Sequence, residues 1–162
     1  MHAQIWCHVG WCITSQRHVA EYLRAKQAPP AMVETIARLN ATRCYRPSGA
    51  ASDHEVAGAA ERVVGNLVKV LIALQPETAA SLSQRQHLRV FVDALRELPD
   101  GLARKNVAIL LAKLCQTGGE PVKQKVRELR GIEIMLSVSK SLQSEPATTD
   151  KLAARVSKAQ AF

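Results

Sequence analysis

The stretch 61–98 can be laid over 105–142 at an offset of about 44 residues with its apolar positions in register. Val63 falls on Val107, Leu67 on Leu111, Val70 on Leu114, Leu71 on Cys115, Leu88 on Ile132, Val90 on Ile134, Phe91 on Met135, Val92 on Leu136 and Leu98 on Leu142. A period of roughly 40 to 47 residues belongs to helical solenoids, whose units of two or three helices cannot bury their apolar faces alone and stack on their neighbours. The competing explanation is chance, because any two amphipathic helix pairs joined by similar loops align their hydrophobic residues at some offset. The repeat points to a binding scaffold and away from an enzyme.

Composition agrees with helices. The 162 residues are 47% apolar and only 4% aromatic, and the β-branched residues fall at helical spacing among Ala and Leu. The length suits one domain, or two to three solenoid units. A net charge of +8 favours acidic partners: nucleic acid, an anionic membrane surface or acidic protein segments. A merely solvated basic surface is the plain alternative. No apolar run approaches the roughly 18 to 20 residues that a membrane span requires. The N-terminus has no secretory pattern, since Ile5, Trp6 and Val9 follow no Lys or Arg and are interrupted by His8 and Gly10. Four irregularly spaced cysteines suggest reduced thiols, so a cytoplasmic location is expected, with a nuclear or organellar one as alternatives.

Along the chain, residues 1–50 read as a distinct N-terminal segment with one or two short helices, about 15–26 and 31–40, in which partial disorder is left open. Ala28-Pro29-Pro30 is expected to stop the first of these. Arg46 to Ser52 reads as a loop, after which Ser52 or Asp53 caps a helix expected to end before Pro76. Further helices are predicted over 83–98 and 102–115. Gly118-Gly119 follows as a helix end, and Pro121 opens a short helix through Leu129. Gly131 then permits a bend before the Ile132–Val138 run. The helical core is thus expected over 53–146, and 147–162 is expected to form a capping helix or tail.

Most chemistry is weakly signalled. Cys7, His8, Cys12 and His18 include zinc-ligand types, but their spacing is not that of a strong finger motif, so ordinary packing is expected and no metal or cofactor is assigned. Cys115 lies on the apolar stripe with nothing to place it beside His54 or His87, and Gly118-Gly119-Glu120 lacks the Gly-Lys-Ser/Thr of a phosphate loop. The segment 104–130 is basic: Arg104, Lys105, Lys113, Lys123, Lys125, Arg127 and Arg130 stand against Glu120 and Glu128. It has no interleaved aromatics to stack on bases, so nucleic-acid binding is the secondary reading.

The run 107–138 has Leu114-Cys115, a polar loop from Gln116 to Glu120, then Gln124, Val126, Glu128-Leu129, Gly131 and Ile132 through Leu136. It resembles the junction between successive armadillo repeats, and its cadence is similar to the C-terminal armadillo-like region of the ataxin-ten family. Lys113 stands where such repeats commonly have Asn, and Arg130 replaces the first glycine of the usual pair. The resemblance covers about residues 55–145. It implies an all-α fold, a short right-handed α-solenoid of armadillo or HEAT type with about two to three units. It also implies a concave surface that holds an extended segment, with Asn66 on that surface, Lys113 in the matching place one repeat later, and Arg62, Lys69 and Lys105 flanking them. The expectation is a non-enzymatic scaffold or adaptor whose protein partner is an acidic segment or a larger assembly, with self-association open.

Overall fold

The computed structural model describes residues 17–42 and 51–144, which form six α-helices and, among those residues, no strand. In chain order they are α1 (Arg17–Ala25), α2 (Ala28–Ala41), α3 (Ala51–Leu82), α4 (Arg85–Glu97), α5 (Leu102–Glu128) and α6 (Gly131–Ser144). Cys7, His8, Cys12, Cys44, residues 46–50 of the loop expected over 46–52 and the helix expected over 151–159 lie outside the described residues.

Three boundaries correct the sequence reading. Pro29 and Pro30 do not break the chain between two helices but stand in the first turn of α2, where a missing N–H costs nothing. The break lies just before, at Gln27, whose left-handed backbone (φ 56°, ψ 30°) turns the chain from α1 into α2. Helix α3 begins at Ala51, so positions 52 and 53 lie inside its first turn and neither is its cap. Asp53 there still faces the positive end of the helix dipole. Helix α3 also continues through position 76 to Leu82, because Leu74 and Leu82 on either side are both fully buried and tertiary packing outweighs the lost backbone hydrogen bond.

The glycine pair at 118–119 behaves as expected. Gly119 has φ 62° and ψ −153°, a conformation open essentially to glycine alone, and it kinks α5 so that Pro121 starts a second helical stretch. Arg130 also has positive φ (57°) at the turn from α5 into α6. Its neighbour Leu129 is tied down through its carbonyl, which accepts 2.6 Å from Arg96 Nη2.

Helices α3 and α5 make the most extensive contact in the molecule. Gly65 lies opposite Ala103, and Gln75 Nε2 donates to Thr117 Oγ1 at 2.8 Å. The contact therefore advances toward the C-terminus along both helices, and they run side by side in the same direction. Helix α4 connects them in sequence and packs on α2, α5 and α6. Met32, Val33 and Ile36 of α2 join the same apolar core as Val64, Leu67 and Leu71 of α3, Leu88 and Phe91 of α4, and Leu111 and Leu114 of α5.

Candidate partner-binding cleft

Positions 62, 66 and 69 recur at helical spacing on one face of α3, and 102, 103 and 106 open the facing side of α5. Arg62, Asn66 and Lys69, with Glu61 and Gly65, meet Leu102, Ala103 and Asn106 around a cleft of about 240 Å³. Small residues make this possible. A Cβ added to Gly65 would stand 3.3 Å from that of Ala103, so the helices approach closely here and the longer side chains of α3 stand at the rim.

The cleft is polar in an unusual way. Asn106 is 7% exposed, and its Nδ2 is fully buried with no hydrogen-bond partner. A buried donor left unpaired costs about 1–3 kcal/mol, so such a group signals a missing acceptor. Gly101 precedes α5 with no side chain to cap its free amides, and the first turn of α5 carries no acidic residue.

Charge is distributed unevenly over the surface. Arg104 pairs with Asp100, Lys123 and Arg127 with Glu120, Arg85 with Glu128, and Arg89 and Arg96 with Asp93. Of the seven cations of the 104–130 segment, Arg104, Lys123 and Arg127 are thus paired. Among the described residues Arg62, Lys69, Lys105 and Lys113 have no ion pair. Of the five residues expected to form the partner surface, three line the cleft. Lys105 and Lys113 are exposed on α5 and do not line it. The α5 residue that lines the cleft with Asn66 is Asn106, not Lys113, which follows it two turns later, about 10 Å along the helix. The signal for Asn106 was present in the sequence: it is a lone amide between Ala103 and Leu110 on an apolar stripe.

The other chemistry-bearing groups are occupied by structure. His87 Nδ1 lies 2.8 Å from the Ser81 carbonyl, and His54 is exposed. Burial pushes the Cys115 thiol above its ordinary pKa, the reverse of what activates a nucleophile. Among the described residues no group of His, Cys, Asp and Glu is placed to hold a metal ion, and no helix is long and apolar enough to cross a membrane. No family model, curated protein or solved structure matches the chain.

Proposed function

We propose that this chain is a non-enzymatic protein-interaction module, a short armadillo-like or HEAT-like solenoid of two to three units working in the cytoplasm. It binds an extended partner segment through the basic face formed by Arg62, Asn66, Lys69, Lys105 and Lys113. The observation that carries this reading is the side-by-side, same-direction packing of α3 and α5, which gathers Arg62, Asn66 and Lys69 in one cleft, with Arg62 and Lys69 in no ion pair among the described residues. Recognition is passive: rigid helices hold the donors in place, so little ordering entropy is lost on the module's side when the partner docks.

Capture of partners by the tagged chain from a lysate, with and without nuclease, tests the class of partner. Proteins retained after nuclease support the module. Partners lost with nuclease move nucleic-acid binding ahead of it. Charge reversal at two exposed positions, Lys105→Glu with Lys113→Glu, is expected to weaken capture at least tenfold at unchanged helicity, by analogy with like-charge juxtaposition costing several kcal/mol at interfaces. Undiminished capture removes the basic face from the proposal.

A further inference from the structure

We infer that the cleft between α3 and α5 is a carboxylate site, taking one Asp or Glu side chain of the partner segment onto the Asn106 amide; this deepens the interaction reading above and rests on it. Three independent features converge there. The Asn106 Nδ2 donor is buried and unpartnered. Arg62 and Lys69 stand at the rim with no ion pair among the described residues. The first turn of α5 offers its amides and the positive end of its dipole with neither a side-chain cap nor an acidic neighbour in sequence.

Size and charge select the ligand. A volume of about 240 Å³ falls below the roughly 300–1,000 Å³ of small-molecule sites and suits a single side chain. Glu61 also lines the cleft, and a Cβ on Gly101 would come within 3.1 Å of its Oε1, so this carboxylate stands at the α5 N-terminus. It has no hydrogen bond or ion pair among the described residues. Two cations and one carboxylate leave a single excess positive charge. That complements a monoanionic carboxylate and disfavours a phosphate dianion. Glu61 is the internal competitor that sets this preference, its negative charge standing at the amide end of α5 where a partner carboxylate must approach.

The test uses the full-length protein and two fluorescent octapeptides capped at both ends, one alternating Glu and Ser and the other Gln and Ser. Anisotropy is read at a fixed ionic strength of about 0.15 M. The Glu peptide should bind about tenfold tighter or more, the discrimination expected of hydrogen bonds to a charged group. Asn106→Leu should abolish that preference without lowering the melting temperature, since replacing an unpaired buried amide with an apolar side chain of similar shape is nearly neutral or stabilising. Arg62→Gln with Lys69→Gln, at exposed positions, should weaken the Glu peptide even if Asn106→Leu fails to fold. Glu61→Gln should tighten it by about fivefold, through removal of one nearby like charge.

No measurable binding of the Glu peptide, or a Glu preference that survives both Asn106→Leu and the Arg62/Lys69 change, overturns the carboxylate site. Stronger competition by inorganic phosphate than by acetate at equal ionic strength overturns the choice of anion. The broader reading fails separately: if the preference depends on Lys105 and Lys113 alone, the basic face stands without this cleft, whereas nuclease-sensitive capture retires the protein partner itself.

Discussion

Gly118 and Gly119 are adjacent glycines required for different reasons. At Gly118 the obstacle is space, because a Cβ would lie 2.2 Å from Val122 Cγ2 and 2.9 Å from Val122 Cβ, and Val122 is buried. At Gly119 space is open, the nearest contact being Pro121 Cδ at 4.0 Å, and the obstacle is the backbone at φ 62° and ψ −153°. Either glycine replaced by alanine is expected to destabilise the fold by about 1–3 kcal/mol, by overpacking in the first case and backbone strain in the second. Arg130→Gly should do the opposite, adding about 1 kcal/mol by relieving a side chain held in the left-handed region. Urea denaturation of the three variants checks both signs, and a neutral Arg130→Gly would mean that the Arg96 contact to Leu129 compensates the strain. The glycine pair was legible because its meaning is local. Asn106 carried only the signal of a lone amide on an apolar stripe, and its importance arises only once α3 packs beside it.

At the scale of helices, the periodicity of apolar residues indicated α1 to α5, whereas the Ile132–Val138 run of α6 was read only as an apolar run after a bend, and the errors concerned where elements begin and stop. Proline at 76 is a strong local stop signal, but α3 is flanked by α2 and α5 and stays helical to bury Leu82. The same contact holds a polar pair that no sequence pattern indicates. Gln75 is 5% exposed and donates to the exposed Thr117, so it is satisfied only through the neighbouring helix. Thr117→Val should strand the buried Gln75 amide and cost about 1–3 kcal/mol, although a surface hydroxyl is all that is removed. Adding Gln75→Leu to Thr117→Val should recover most of that loss in a double-mutant cycle, and additive losses would show that the bond contributes nothing to the α3–α5 contact. The proposed repeat can be judged on this scale too. Leu67 and Leu111, Val70 and Leu114, and Leu71 and Cys115 are all buried, as equivalent positions should be. The α4–α6 half matches less well: Val92 is fully buried whereas Leu136 is 58% exposed, since α4 is flanked by α2, α5 and α6 while α6 makes its substantial contacts among the described residues with α4 and α5.

For the molecule as a whole, what separates a solenoid from a globular bundle is how far a perturbation travels. The substantial helix contacts join α1 to α2, α2 to α3 and α4, α3 and α4 to α5, and α4 and α5 to α6. In a solenoid such contacts would join successive layers, whose stability is approximately a sum of unit and neighbour terms. Ile36 sits in the α2 layer and is fully buried, so Ile36→Ala should cost about 2–5 kcal/mol where it is felt. If the layers open in sequence, native-state hydrogen exchange in this variant will quicken in α1 and α2, less in α3 and α4, and hardly at all in the first stretch of α5, before the kink at Gly119. A single cooperative globule would instead lose protection equally in every helix, and that result would retire the repeat reading even if the cleft binds its peptide. The distinction matters for function, because only a layered module can loosen its α1–α2 end while α3 and α5, which carry the cleft, keep their register.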